Sequence, residues 1–375
     1  MPSPHEEEIK SNLVYQNLTV SVIITLISSF ITKSKHMVRI PGFAGYILKK
    51  VLIYIVTFFL AFTVMFWALR LIPGDPWSRF VDNLRVLQVD PRISREFIEE
   101  YKRKFGLDKD VYTQFALYIS NVFLRFDLGL SIASYPTPAQ VVIMRYLPWS
   151  IGLLGICALI SWSIGIVLGA FIGWKHHKKL SSAIFTIALG MSQIPYFIMA
   201  ILLIMILAYG LGLFPGRWAF APGTTPGLSL DFILSVIRHG FLPALSIMIT
   251  SFLSWLVSTR ALTMTILGED YLLFAEAKGL KKIRMLNRYV LRNMILPQAT
   301  GLAISLGFMV NGAYVVEWIF QYPGVGTLLV HSFLWLDYNL AQGIILMTMF
   351  SVLTANLIMD FFYPLIDPRV RTEGK

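Results

Sequence analysis

Six stretches of the chain carry no Asp, Glu, Lys or Arg: 51–69, 146–174, 180–216, 240–259, 293–316 and 338–359. A helix needs roughly 20 residues to cross the ~30 Å hydrocarbon core of a bilayer, so each stretch can span once. The third is longer, but Gly210, Gly212, Pro215 and Gly216 end its helix and begin a loop. Pro195, inside that stretch, should kink it. The expected fold is an all-α polytopic membrane protein with six core transmembrane helices.

Loop charges predict its orientation, because Lys and Arg collect in cytoplasmic loops. Four regions are basic: Lys49 and Lys50, the loop 175–179, the loop 260–292, and the tail with Arg369, Arg371 and Lys375. All four fall on one side if every stretch crosses once, which puts the C-terminus in the cytoplasm. The outer side then receives 72–145, 214–238 and 321–337. Within the first of these, Ile93, Phe97, Tyr101 and Phe105 repeat at helical spacing, which predicts a small extracytoplasmic helical cap over 92–104. Residues 11–32 are also uncharged but diluted by Asn, Gln, Ser and Thr. Acidic residues before them and Lys33, Lys35 and Arg39 after them suit an extra membrane helix; an interfacial helix, or an N-terminal extension upstream of Met37, is the competing reading.

Composition agrees with a membrane protein. The apolar fraction is 56%, the charged fraction 14% and the mean hydropathy +0.67; soluble domains carry about 25% charged residues. The net charge of +11 therefore reads as basic loops and contact with membrane lipid, with no nucleic acid implied. Cys157 is the single cysteine; it forms no intrachain disulfide, and no Cys/His spacing suggests zinc. The start carries Glu6, Glu7 and Glu8 where a signal peptide needs basic residues.

The expected chemistry is equally bounded. There is no phosphate-binding GxxxxGK[ST] loop, no HExxH and no GxSxG. No span carries the chain of ionisable groups expected of a proton-coupled carrier. The protein should not be an enzyme, and no catalytic, cofactor-binding or metal-binding residue is assigned on it. His176 and His177 read as a solvated loop. Arg70 and Asp75, either side of Pro73-Gly74, mark a membrane boundary or pair across the turn.

One polar insert stands out between two apolar stretches. Residues 268–297 contain Asp270 and Tyr271, then Ala275-Glu276-Ala277-Lys278-Gly279-Leu280, then Leu291-Arg292-Asn293 and Leu296-Pro297. Small residues there permit close approach of another surface, Tyr271 and Phe274 can anchor in a pocket, and Gly279 allows a sharp turn. After it, Lys281, Arg284, Arg288 and Arg292 share one helical face, and Ile283, Leu286 and Val290 another, as in an amphipathic helix at the membrane–water boundary. A surface helix that merely obeys the charge rule would show the same periodicity.

This insert resembles the EAA loop of type I ABC importer permeases, and most closely that of the B-type permeases of the dipeptide/oligopeptide/nickel branch. Other stretches resemble that branch in the same order: Arg70-Leu71-Ile72-Pro73-Gly74-Asp75-Pro76, Tyr135-Pro136-Thr137-Pro138, Arg145-Tyr146-Leu147-Pro148, Ser192-Gln193-Ile194-Pro195, Glu317-Trp318-Ile319-Phe320 with Pro323-Gly324-Val325-Gly326, and Asp367-Pro368-Arg369. The resemblance covers roughly 46–371. Glu276 departs from it, standing where the family usually has a basic residue.

The resemblance implies a permease subunit in a prokaryotic plasma membrane. Partners would be a second homologous permease chain in a heterodimer, two cytoplasmic P-loop ATPases that bind ATP and Mg, and an extracytoplasmic substrate-binding protein. Di- or oligopeptides are the expected cargo, with oligosaccharides or nickel as the alternative; a self-contained secondary carrier is the reading from another class. Residues 269–280 would form the coupling helix. Pro195, Glu317, Pro323 and Gly324 are gate or structural candidates, with Glu317 at the outer mouth beside a re-entrant turn. The expected organisation is an extension over 1–46, a first core helix and cap over 47–137, a transmembrane domain over 138–366 with its coupling loop at 266–292, and a tail over 367–375.

Overall fold

The computed structural model describes residues 43–70, 99, 103, 108–307 and 313–366. The possible helix at 11–32, Asp75, the tail after Ile366 and all of 92–104 except Glu99 and Arg103 lie outside that set. Contacts divide the chain into Met1–Ile53 with Phe361–Lys375, and Tyr54–Asp360. The described parts of the first unit are helical; the second holds the bundle.

The helices run α1 Phe43–Arg70, α2 Val111–Arg125, α3 Ala139–Trp174, α4 Lys179–Ser192, α5 Tyr196–Leu203, α6 Leu230–Leu267, α7 Asp270–Ala277, α8 Lys282–Met285, α9 Leu291–Gly307, α10 Tyr314–Ile319, α11 Val325–Leu334 and α12 Tyr338–Ile366. A π-helical turn extends α5 over Ile204–Gly210, and another joins α8 to α9 over Leu286–Val290. Among the described residues, α1, α3, α6 and α12 are long and apolar enough to cross a membrane, and α4 with the π-extended α5 is apolar enough to make a fifth crossing if the pair, bent by 94°, counts as one span. The expected span at 293–316 corresponds to α9 and the start of α10; residues 308–312 between them are outside the described set.

Caps set several helix ends. Asp110 starts α2: its carboxylate accepts from the Thr113 amide at 3.0 Å and from the Thr113 hydroxyl. Those bonds hold the Asp110 carboxyl below the usual range. Ser229 starts α6 by accepting from the Phe232 amide at 3.3 Å. Helix α6 thus begins well before the uncharged stretch at 240–259, with Asp231 in its first turn, where a negative charge suits the helix dipole.

The centre of the bundle is the α3–α6 pair. The Cys157 thiol reaches the Ala244 carbonyl at 3.7 Å, and the Ser161 hydroxyl donates to the Met248 carbonyl at 3.5 Å. Further along, a β-carbon on Gly165 would collide with Trp255, one on Gly169 would sit 2.6 Å from the Leu256 carbonyl oxygen, and one on Gly173 would sit 2.6 Å from Thr263 Cβ. Glycine every fourth residue is what lets two membrane helices approach backbone to backbone. Because the contacts advance along both helices together, α3 and α6 are parallel. The chain between them must therefore return across the layer, and α4–α5 is the segment that does so.

Other elements close the ends. Phe62, Phe66 and Leu69 of α1 pack with Tyr118 and Val122 of α2 and Ala341 and Leu346 of α12. Arg70, at the end of α1, lies over the Phe66 ring at 3.8 Å and donates to Gln114 Oε1 at 3.2 Å. Asp337 precedes α12 and is fully buried. It accepts from the Ser131 hydroxyl at 2.6 Å, the Ala133 amide at 3.0 Å and the Leu340 amide at 3.1 Å. Burial raises its carboxyl above the usual range, and those bonds oppose the shift.

Candidate functional site

Helix α7 is built to present one face and fasten the other. Glu269 precedes it, and Asp270 lies in its first turn. Leu272 and Ala275 are each 3% exposed. They pack with Ile266 of α6, Met285 of α8, Leu286 and Val290 of the π turn that leads into α9, and Met294 of α9. The Asn293 side chain donates to the Tyr271 hydroxyl at 2.9 Å, a second tie between α7 and α9. On the opposite face Leu273 is 61% exposed and Phe274 69%. Glu276, Ala277, Lys278 and Gly279 are exposed beside them, and Leu280 is half-buried.

The helix ends in a Schellman motif. The Gly279 amide donates to the Glu276 carbonyl at 2.8 Å and the Leu280 amide to the Ala275 carbonyl at 3.3 Å. Gly279 has φ of +73°, and a β-carbon there would meet nothing within 4 Å. Its glycine is required by backbone conformation and not by a crowding neighbour. Likewise the two alanines have different surroundings. Ala275 is small because its own chain packs over it, whereas Ala277 faces outward.

The amphipathic stretch after Gly279 keeps only part of its expected face. Leu286 and Val290 are buried, yet Ile283 is 63% exposed. The π turn over Leu286–Val290 inserts an extra residue per turn, so the apolar face does not run straight from Ile283 to Val290.

A second cluster surrounds Glu317, which is fully buried. Helix α10 carries it, the chain turns at Gln321 with φ of +50°, and α11 doubles back from Gly324. Glu317 Oε2 accepts from the Gly326 amide at 2.6 Å, and Ser150 Oγ of α3 accepts from the Val325 amide at 2.8 Å. Both bonds occupy first-turn amides of α11, which have no acceptor within their own helix. A carboxylate is also favoured at that positive end. Gly324 is forced by contact: a β-carbon would collide with Glu317 Oε2 and sit 2.6 Å from Ser150 Oγ. Pro323 is the residue before it in the turn.

Pro195 stands at the break between α4 and α5, as the residue preceding α5. Ser150 and Asp337 were missed by sequence reasoning. A serine within an apolar stretch and one acid in a loop give no local pattern; only the partners they meet across the fold reveal them. Among the described residues, no group of three or more His, Cys, Asp or Glu could hold a metal ion.

Apolar spans joined by a glycine ladder, with a short helix projecting between two of them, define a multi-pass membrane protein. The chain belongs to the family described as binding-protein-dependent transport system inner membrane component, which matches residues 165–372. It is 32% identical over 330 residues to the oligopeptide transport system permease protein AppB of Bacillus subtilis (strain 168), an alignment covering 87% of this chain and 99% of that protein. It is 30% identical over 333 residues to the glutathione transport system permease protein GsiC of Escherichia coli (strain K12), with the same coverage of 87% and 99%. The chain is thus a permease subunit of an ABC importer, not itself an enzyme, and its family works with an ATPase and a substrate-binding protein.

Proposed function

We propose that this chain pairs with a second homologous permease to form a translocation path for di- or oligopeptides, and that α7 is the helix through which two cytoplasmic ATPases drive it. The observation that carries the reading is the two-faced construction of α7. Leu273 and Phe274 stand exposed, although each would gain roughly 1.5–3 kcal/mol from full burial. A pocket on an ATPase is the complement such a pair needs, and Asp270, Glu276 and Lys278 rim it with charge of both signs.

Force then has a route. Leu272 and Ala275 are packed on the foot of α9, and Tyr271 is bonded to Asn293. Motion of α7 is delivered to α9, and Gly279 sets the angle between them. ATP and Mg belong to the ATPases, and closure of those subunits would draw the two coupling helices together and open the bundle outward. In this reading the basic loops and the C-terminus face the cytoplasm of a prokaryotic cell. Glu317, Pro323 and Gly324 fix the outer mouth, and Pro195 marks the bend within the path.

Peptide cargo is supported by the two relatives, one an oligopeptide permease and the other a permease for glutathione, itself a tripeptide. Oligosaccharide or nickel cargo is the alternative within the same importer class. The test is uptake by cells producing the full assembly. ATP depletion should abolish alanine-peptide uptake while a proton uncoupler, at constant ATP, leaves most of it. The reverse pattern would make the chain part of an ion-coupled carrier.

A further inference from the structure

The bent span borders an open feature that α7 does not explain. A cavity of about 410 Å³ lies at the α4–α5 break, walled by Ser192, Gln193, Thr250, Ser251, Ser254 and Trp255. Its size falls within the roughly 300–1,000 Å³ of small-molecule sites.

Its depth follows from the α3–α6 register. Residues 250–255 of α6 lie level with residues 163–168 of α3, given that Ser161 meets Met248 and Gly165 meets Phe252 and Trp255. At 1.5 Å per residue that level is roughly 10–18 Å from the basic loop at Lys175. Half of a ~30 Å hydrocarbon core is about 15 Å, so the cavity sits near the midplane.

Irregular backbone at that depth is tolerated only inside protein or along a wet cavity. The break is not packed inside this chain: Gln193 and Pro195 are exposed and Tyr196 is 44% exposed. A wet cavity is one setting that accounts for a break that lipid would penalise.

The wall is uncharged and mixed: hydroxyl and amide groups stand beside the apolar Ile194, Pro195 and Trp255 and the ring of Tyr196. The Ser192 hydroxyl donates to the Leu189 carbonyl at 2.9 Å, Thr250 to Ile247 at 3.2 Å and Ser254 to Thr250 at 3.0 Å. Their protons are engaged within their own helices, which leaves hydroxyl lone pairs as acceptors. Gln193 donates one amide hydrogen to Ser192 Oγ at 3.2 Å, and its carboxamide offers a further donor and acceptor. Trp255 adds a flat apolar face. No Asp, Glu, Lys or Arg is among the wall residues, so the wall offers a charged group no counter-charge. Amides, which both donate and accept, match the wall.

We propose that this cavity is a station on the translocation path, where the uncharged backbone amides of a peptide exchange water for Gln193, Ser192, Ser251 and Ser254. The proposal rests on the importer reading above.

The test uses the full assembly in proteoliposomes with its binding protein and a Cys157→Ala parent. Gln193→Cys and Ser254→Cys are exposed to a charged, membrane-impermeant thiol reagent. Di- to hexa-alanine peptides are screened first, and the one the parent imports is the probe. Both cysteines should react under turnover and be protected by that peptide, whereas Val167→Cys, 62% exposed on the apolar surface of α3, should not react. Gln193→Leu should raise the KM for uptake about fivefold, the scale of one neutral hydrogen bond. Unreactive cysteines, or labelling that the peptide does not slow, in a parent with ATP-driven uptake would overturn the cavity proposal alone. A parent that imports no alanine peptide, or imports one without ATP, would sink the functional reading together with it.

Discussion

Gly279 and Ala275 are both small residues in the same helix end, and they are small for unlike reasons. At Gly279 the constraint is a φ of +73° with open space around the missing β-carbon. An L-residue there costs about 1–2 kcal/mol, and Asn tolerates the region better than most. Gly279→Val should therefore lower ATP-driven uptake with membrane levels unchanged, while Gly279→Asn keeps most of it. Equal loss in both would mean that size, not backbone conformation, governs the site. At Ala275 the constraint is packing. Ala275→Leu should lower the detergent melting temperature, since overpacking costs about 1–3 kcal/mol. Ala277→Leu should leave melting unchanged and instead reduce the amount of ATPase that copurifies. The sequence made this segment visible, through its glycine, alanines and charges. It left open which alanine faces inward, because that depends on where Met285 and Leu286 return.

At the scale of elements, two contacts organise the bundle. The glycine ladder sets the α3–α6 spacing, so Gly169→Leu should disrupt assembly, seen as loss of a monodisperse chromatographic peak. Gly152→Leu, where a β-carbon meets nothing within 4 Å, should not. The second contact is the capping of α11 by Glu317. Glu317→Ala would strand the buried Gly326 amide, at a cost of about 1–3 kcal/mol; Glu317→Gln keeps an acceptor. Thermal stability should fall in the first and largely survive in the second. Similar losses in both would show that the negative charge, and not the acceptor, holds the turn. Most spans were legible because the hydrocarbon core excludes charge. The bend at Pro195 was legible as a kink, but its 94° extent was not, since proline alone does not decide between a kink and a break. The ladder was hidden because glycines four apart acquire meaning only beside a partner helix.

For the whole molecule, the parallel course of α3 and α6 is the fact that orders the rest. It assigns the return crossing to a broken segment and brings the α7 loop to the same end of α6 as the basic loop at 175–179 brings to α3. A passive anchor has no use for either feature. In the proposed reading, a permease driven by soluble subunits uses both, one to receive motion and one to line a path. Substrate choice was the least legible property in the sequence, since the family's binding protein is a separate chain. In the proposed reading the exposed face of α7 receives the ATPase. The direct measurement is photo-crosslinking in the membrane from a reactive side chain at Phe274, with one at Ala275 as the inward-facing control. A strong adduct to the ATP-hydrolysing subunit is expected from 274 and none from 275. An adduct from neither position, or from 274 to lipid alone, in an assembly that still imports would contradict it.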